Sequence, residues 1–332
     1  MARNWNDMPN EVKFMIVDNM DIVTRTKLKM CSKSDKCIVE SVPMHLKFVN
    51  CTPSVLDLGD IRIFEGKDDK IRKRIDGKSY PVKLPKKLQK YKTKYVFKKF
   101  LGNLLLHGNL RIYHFCTKLD FPSKLTHTTI DTKLASFNGK GEEIIKWIKV
   151  LSPKTKSIEI DGKGKDMLEG IGLIPLIINA ERVYILRKND ITDEQLLTFK
   201  FTKGCIKKSK VTSKGAIQFV LHISSNDYPM DTDIEIYTIK DIGNPNAHPR
   251  DVDLDENLLE TRLCLPMNSE KEVVYYYNPL EYRFSIYVQK AGGPVKTYRE
   301  HHGMMTDDEM EEEESETDES DDEEDEMEEM SE

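Results

Sequence analysis

The stretch from Trp5 to Val42, WNDMPNEVKFMIVDNMDIVTRTKLKMCSKSDKCIVESV, carries the signals of three short helices in succession. Pro9 suits the first turn of the first helix, because the N–H groups of that turn have no helical partner. Asn6 and Asp7 precede it as candidate caps. Four apolar residues then fall on one face at helical spacing: Val12, Met15, Ile16 and Met20.

The second and third helices are shorter still. Thr24 is the candidate cap of the second helix, which places Leu28 and Cys31 on one face, and Ser34 is the candidate cap of the third. Isolated helices of fewer than about 12–15 residues are marginal in water. The sequence therefore predicts three helices that pack on each other and offer a further apolar face to another surface.

The residues of this stretch resemble the F-box. That motif has a Leu-Pro-x-Glu start, a hydrophobic pair one turn later, a Leu before a break, a basic second helix, and a small residue or Cys beside Ser-Lys. The matching residues here are Met8, Pro9, Glu11, Val12, Ile16, Val17, Met20, Leu28, Cys31, Ser32 and Lys33. Methionine replaces leucine at positions 8 and 20, an exchange that typically costs under about 1.5 kcal/mol. Cys37 or a neighbour occupies the region where many members have Trp.

The Trp before Met-Pro and the ending MCSKSDKCIVES are similar to the large nematode-type family of F-box proteins. The resemblance implies a substrate-recognition subunit of a Skp–cullin–F-box ubiquitin ligase, with no active site and no cofactor of its own. Its partners would be a Skp-type adaptor, a cullin scaffold and a protein target bound by the chain after about residue 100. The adaptor-binding residues implied by the resemblance are Met8, Pro9, Val12, Ile16, Met20 and Leu28.

The charge of the chain is divided unevenly. Residues 306–332 contain 19 Asp or Glu and no Lys or Arg, and the remaining 38 acidic and 51 basic residues give residues 1–305 a balance of +13. A block of like charge without aromatic residues cannot bury enough apolar surface to fold, so a disordered acidic tail is predicted over 303–332. Acidic residues follow the hydroxyls of Ser315 and Ser320, as an acidophilic kinase requires, although these residues are equally well explained as spacers.

The sequence predicts an intracellular protein, cytoplasmic or nuclear, that does not use a membrane. The first ten residues have no apolar run of the kind found in signal peptides, and the longest apolar stretch, 170–180, is far shorter than the roughly 20 residues of a membrane span. The six cysteines show no CxxC pair and fit buried thiols in a reducing compartment. They stand at positions 31, 37, 51, 116, 205 and 264.

Beyond residue 100, short β-like runs alternate with helical stretches. Strands are predicted at 110–115, 156–160 and 182–187, and helices within 142–151, 166–178, 192–195 and 213–221. Such alternation implies parallel strands joined by right-handed crossovers. The strand spacing lies in the range of leucine-rich repeats, but the Asn or Cys position of that repeat is absent. We predict an irregular, leucine-rich-repeat-like α/β array, with a doubly wound sheet as the competing architecture.

Three β-rich runs follow at 233–239, 272–277 and 282–288, the last two forming a predicted hairpin, and 241–256 is a predicted connector. The fold class is therefore mixed, α+β or α/β. The predicted domains are a three-helix F-box over 3–48, a basic connector and amphipathic helix over 49–99, the leucine-rich-repeat-like domain over 100–300, and the acidic tail.

No group of residues has the spacing of a catalytic or metal motif. Cys31, Cys37, His45 and Cys51 are separated by five, seven and five residues, whereas zinc ligands favour pairs two to four residues apart. His301 and His302 are adjacent, and adjacent side chains of an extended chain point apart. Gly162-Lys-Gly164 begins a string similar to a dinucleotide fingerprint, but Met167 stands where the third glycine is needed. We expect neither a metal, nor a cofactor, nor an enzyme.

The lysines between residues 83 and 99 lie mostly on the solvent side of a predicted amphipathic helix that ends near His107-Gly108. Leu84, Leu88, Tyr91 and Tyr95 would belong to its buried stripe. The candidate basic patch comprises Lys86, Lys87, Lys90, Lys94 and Lys98. Lysines interleaved with tyrosines can contact phosphates and stack on bases. The alternative function is therefore a nuclear module, associated with nucleic acid or histones, that uses this helix and the acidic tail.

Overall fold

A computed structural model of the chain describes residues 5–66, 70–75, 77–107, 109–239, 261–278 and 281–293. Its helices are α1 Asn10–Asp18, α2 Ile22–Lys29, α3 Lys33–Ser41, α4 Thr93–His107, α5 Gly141–Lys149, α6 Pro175–Asn179, α7 Asp193–Leu196 and α8 Ser213–Ser224. None of these helices is both long and apolar enough to cross a membrane.

The first strands are β1 Met44–Cys51, β2 Val55–Leu58, β3 Ile61–Glu65, β4 Ile71–Ile75, β5 Lys78–Pro81, β6 Leu110–Thr117 and β7 Asp131–Phe137. The others are β8 Ser157–Ile160, β9 Arg182–Ile185, β10 Lys203–Ile206, β11 Asp233–Tyr237, β12 Thr261–Pro266, β13 Lys271–Asn278 and β14 Arg283–Lys290. Together they form one mixed sheet of 14 strands. The mixed α/β class and the hairpin, in which β13 and β14 pair antiparallel, are confirmed.

The centre of the sheet is parallel and follows chain order. β1 pairs with β6, and each strand from β6 to β10 pairs with the next one along the chain. An antiparallel meander from β2 to β5 extends one edge, and β14, β13 and β12 extend the other. A doubly wound sheet reverses its strand order within the parallel region. The described strands show no such reversal, so the competing architecture is wrong.

The alternation of side chains along each strand separates a buried face from a face with partly exposed side chains. One laterally paired row on the buried face comprises Val49, Phe115, Ala135, Ile158, Val183, Gly204 and Ile234. Trp147 of α5 belongs to the same core, and its indole Nε1 donates to the carbonyl oxygen of Leu119 at 2.9 Å. The neighbouring row on the other face, called the open face below, comprises Asn50, Cys116, Ser136, Glu159, Tyr184, Cys205 and Glu235, of which Cys205 is buried.

A buried polar side chain ends or follows several parallel strands and turns the chain toward the core. The side-chain oxygens of Thr117, Asn189 and Ser209 each accept the backbone N–H two residues on, at 3.1, 3.2 and 3.3 Å. The N–H belongs in each case to a buried apolar residue: Leu119, Ile191 or Val211. Because Thr, Asn and Ser all perform this turn, a search for a repeated Asn or Cys in the sequence does not find it.

The stretch 49–99 is more ordered than a connector. β2 to β5 lie within it, and β1 already joins the parallel sheet before residue 48. Short strands with charged residues on both faces lack the regular apolar alternation that identifies a half-buried strand. The sequence therefore does not reveal them. The predicted domain limits at 48 and 100 remain predictions.

The amphipathic helix begins later than predicted. α4 starts at Thr93, whose hydroxyl bonds to the Glu65 carboxylate, so only the last two lysines of the candidate patch, Lys94 and Lys98, lie on it. The predicted burial of Tyr91 and Tyr95 is wrong, since both side chains are exposed and their rings lie 4.4 Å apart. The helix buries the residues spaced by four from Phe97, namely Leu101 and Leu105. Gly108, the predicted stop, lies outside the described residues.

Candidate adaptor-binding surface

The first helix begins at a proline. Pro9 is the N-cap of α1, and no side chain caps this end, so the predicted caps Asn6 and Asp7 are wrong. Both residues belong to a short 3-10 turn, Trp5–Asp7, that precedes the helix. Pro9 takes an extended backbone conformation and lacks an N–H, which makes it a natural boundary residue.

The caps of the other two helices lie two or three residues before the predicted ones. Asp21 caps α2 by accepting from the backbone N–H groups of Val23 and Thr24 at 2.7 and 2.9 Å. Ser32 caps α3 through the N–H of Asp35 at 3.0 Å. A capping side chain accepts a backbone N–H two or three residues further along the chain, so the cap precedes the first helical residue. Thr24 and Ser34 are therefore wrong as caps, since both lie inside the helices.

The interior of the three-helix bundle is small. Val17, Ile38, Val39 and Val42 form its buried core. Trp5, Met20 and Leu28 pack against this core while remaining half-exposed. Such a core buries one side of each helix only, and the other sides remain available to a partner.

A polar cluster ties the chain before α1 to α3. The buried carboxylate of Asp35 accepts hydrogen bonds from the Ser32 hydroxyl and the Trp5 indole Nε1, both at 2.7 Å. These bonds, with a smaller contribution from the charge of Lys13, hold the pKa of Asp35 below its ordinary value. The Lys13 ammonium also lies 5.8 Å from the centroid of the Trp5 ring.

Arg25 joins the bundle to the sheet. Its guanidinium is buried and donates to the carbonyl oxygens of Val42 at 2.9 Å and Pro43 at 3.0 Å, directly before β1. It also donates to the carbonyls of Met20 and Asp18, each at 3.3 Å. From the other side, the Asn109 amide donates to the carbonyl oxygen of Glu40 at 3.2 Å. Nothing in the sequence indicates this role, since Arg25 is one of several basic residues in the second helix.

An exposed apolar surface covers the outer side of the bundle. Val12 is 41% exposed, Met15 70% and Met30 79%. Phe14 is also exposed. A single exposed apolar side chain is ordinary, but several on one short helix indicate an interaction site. The predicted stripe of α1 thus lies largely on the outside, while Lys13 and Val17 are the residues that α1 buries.

The structure divides the six predicted adaptor-binding residues into two groups. Pro9 and Val12 are exposed, and Met8 and Ile16 are half-exposed. The other two, Met20 and Leu28, pack against the bundle core and present only part of their surface. The role of all six in adaptor binding remains a prediction.

A hydrogen-bonded chain crosses three strands on the open face. His114 Nε2 lies 2.9 Å from the Ser136 hydroxyl, which donates to a carboxylate oxygen of Glu159 at 3.2 Å. Ser136 stands between the other two groups, whereas a Ser-His-Asp triad places the histidine between the hydroxyl and the acid. The geometry therefore differs from that of an activated nucleophile.

Aromatic side chains are exposed among the polar groups of the parallel strands. Buried and exposed residues alternate along β1, β6 and β7, but in each strand two consecutive residues are exposed or half-exposed. These interruptions lie at the same register in the three paired strands. The interruption exposes Phe48 in β1 and Tyr113 in β6, and Tyr184 is exposed two strands beyond β7. The Lys133 ammonium lies 5.6 Å from the centroid of the Tyr113 ring. Exposed aromatic residues are enriched in protein-binding surfaces.

Only some of the six cysteines are buried. Cys51 and Cys205 are buried, Cys116 is intermediate, and Cys31, Cys37 and Cys264 are exposed. The prediction of buried thiols is therefore wrong for the last three, which lie in the turn between α2 and α3, at an exposed position of α3 and on the outer strand β12. Within the described ranges, no group of three or more His, Cys, Asp or Glu side chains is arranged to hold a metal.

The glycines of the Gly162-Lys-Gly164 string make room for a buried cation. The Arg187 guanidinium bonds to the Asp166 carboxylate and to the carbonyl oxygen of Gly139. A side chain at Gly164 would occupy the position of this guanidinium. The string thus serves packing here, since its glycines admit Arg187 and the Leu186 backbone.

Several predicted features lie outside the described residues. They are the candidate phosphorylation sites Ser315 and Ser320, the pair His301 and His302, the connector 241–256 and the acidic tail over 303–332.

Comparison with known protein families matches residues 5–47 to the F-box domain. The matched segment contains all three helices of the bundle and the first residues of β1. No curated protein and no solved structure matched the chain.

Proposed function

We propose that this chain, which carries an F-box domain at residues 5–47, is the substrate-recognition subunit of a Skp–cullin–F-box ubiquitin ligase. The observation that supports this most directly is the exposed apolar surface on a domain of that family. Interfaces concentrate their energy in a few apolar or aromatic anchors, and Val12 and Ile16 with Met8 and Pro9 are the anchors we propose for the Skp adaptor. A cullin would then join through the adaptor.

We propose further that the open face of the sheet binds the protein target. The opposite face is occupied by the core and the helices, whereas the open face combines exposed aromatic residues with hydrogen-bonding groups. We propose that this part is leucine-rich-repeat-like, a proposal supported by parallel strands in chain order, several of which are closed by a similar polar turn. We also propose that the chain belongs to the nematode-type F-box proteins.

In this function the protein performs no chemistry itself. It brings a target lysine close to a ubiquitin-charged enzyme, and the gain comes from effective concentration and orientation. A fixed geometry between adaptor and target is useful for this purpose. Arg25 and Asn109 provide one, because their hydrogen bonds join the helical bundle to the start of the sheet.

The test is capture of the purified Skp adaptor by the full chain. The double substitution Pro9→Ala with Val12→Asp should abolish capture, because it places a charge within the apolar contact. The matched control is Leu221→Asp, an exposed apolar residue on α8 far along the chain, which should bind normally. Undiminished capture by the double variant, with its fold intact by circular dichroism, would contradict the F-box function.

A further inference from the structure

Nearly all the net positive charge of residues 1–305 lies in one short segment. Residues 70–99, called the basic edge below, contain 13 Lys or Arg and one Asp, a balance of +12 out of +13. The proposed ligase function uses none of these residues. Such a concentration of one charge creates a strong local field and attracts anions.

The structure places the basic edge at the outer border of the sheet. β5 is the last strand on that side, and all of its residues are exposed. Lys73 of β4 lies opposite Tyr80 of β5, and both line a groove of about 270 Å³ with Ile75 and Lys78. The two strands thus present cations along a ribbon that projects into solvent.

The rest of the segment returns along the same border. The Val82 N–H donates to the carbonyl oxygen of Ile71 at 2.9 Å, and the Thr93 hydroxyl bonds to the Glu65 carboxylate of β3. Among the described residues, no carboxylate lies within salt-bridge distance of Lys73, Arg74 or Lys78. Lys94 does have a partner, Asp120 at 2.9 Å. The charges of Lys73, Arg74 and Lys78 are therefore not compensated by a described carboxylate.

We propose that the basic edge binds the acidic segment 306–332 of the same chain. The two segments carry +12 and −19, so their charges are complementary in sign and similar in size. A segment tethered to its binding surface acts at an effective concentration of up to the order of mM. An external polyanion, including nucleic acid, must therefore displace it to reach the lysines.

The chain between the two segments is long enough. Eleven strand spacings separate β14 from β5 in the sheet, which at about 4.8 Å each corresponds to about 53 Å. An extended chain advances about 3.3–3.6 Å per residue, so about 16 residues after residue 293 span this distance. The residues from 311 onward, which carry 16 of the 19 acidic groups, can therefore reach the ribbon.

This contact would make the basic edge responsive to modification. A phosphate on Ser315 or Ser320 adds about −1.5 to −2 charges and would strengthen the association. The simpler role for lysines on an edge strand is to prevent pairing with other sheets. That role requires no contact with the acidic segment, so the two explanations are separated by experiment.

The first experiment maps the contact on the full chain. A carbodiimide joins Lys amines to carboxylates that touch them, and mixing isotope-labelled with unlabelled chains identifies links within one molecule. We expect most links from 306–332 to end on lysines of the basic edge, and to fall several-fold between about 0.01 M and 0.5 M salt, as the Debye length shortens. Links spread over the lysines of the whole chain in proportion to their exposure would overturn the proposal.

The second experiment measures masking. A full chain whose 19 acidic residues in 306–332 are replaced by Asn and Gln should elute from heparin at higher salt than the native chain. Lys73→Glu, Arg74→Glu and Lys78→Glu together should remove most of that gain. The matched control has Glu at three exposed lysines elsewhere and should keep the gain: Lys163, Lys165 and Lys188. Elution of the native chain and of the Asn/Gln variant at the same salt concentration would refute the proposal. The basic edge would then be an open surface for nucleic acid.

Discussion

Substitution of Arg25 by methionine tests the junction between the helical bundle and the sheet. Methionine keeps most of the apolar stem of the side chain but removes its hydrogen bonds to four carbonyl oxygens, those of Val42 and Pro43 being the shortest. A hydrogen bond that involves a charged group contributes about 1.5–3 kcal/mol, so two such bonds represent about 3–6 kcal/mol.

Two effects reduce this figure. The variant no longer has to remove a guanidinium from water. A cavity of about 540 Å³, lined by Arg25 and by Phe100 and Leu104 of α4, offers space for water to reach the carbonyls. We therefore expect the free energy of opening the helical bundle to fall by about 2–3 kcal/mol, which raises the population of the opened bundle roughly 30- to 150-fold.

Hydrogen exchange measured by mass spectrometry provides the assay. Amides of α1 to α3 should exchange about 30- to 150-fold faster in the variant, while those of the parallel strands keep their protection. Lys29→Met is the matched control, since it removes the same charge from a partly exposed side chain whose partner, Glu40, lies 3.4 Å away. It should change exchange little. If both variants behave alike, the buried hydrogen bonds of Arg25 do not hold the junction, and the reasoning fails.

Two further predictions concern ionisable groups. Burial raises the pKa of Cys51 and of Cys205 to about 12, so only about one of these thiols in 10⁴ is ionised at pH 8. Iodoacetamide should therefore react first with the exposed thiols Cys31, Cys37 and Cys264, as measured by mass spectrometry. Rapid labelling of either buried thiol would contradict the structure. The pKa of Asp35 is lower in the folded chain than in the unfolded chain, where it is near 4. Its carboxylate therefore stabilises the bundle at pH values above about 4, and this contribution is lost as the pH falls through the pKa of the folded chain. The stability difference between the native chain and Asp35→Asn should therefore narrow below about pH 4, and a constant difference from pH 7 to pH 3 in urea titrations would show that Asp35 does not titrate as described.

The local pattern of the sequence determined the order of elements and the family of the first domain. The Trp-Asn-Asp-Met-Pro start and the apolar spacing after it predict the short helices of residues 5–42, and the alternation after residue 100 predicts parallel strands. These features depend on periodicity and on residues adjacent in the chain, and a single sequence displays both. The charge division between 70–99 and 306–332 is likewise a property of the sequence alone.

Only the tertiary structure decided which side of each element is buried and which polar residues hold the parts together. Tyr91 and Tyr95 continue an apolar spacing in the sequence, but the helix begins at Thr93, whose hydroxyl bonds to the carboxylate of Glu65, 28 residues earlier. Arg25 and Arg187 are buried because carbonyl oxygens and a carboxylate far along the chain surround them. The burial of a charged group depends on partners brought together by the fold, and a sequence pattern contains no record of those distances.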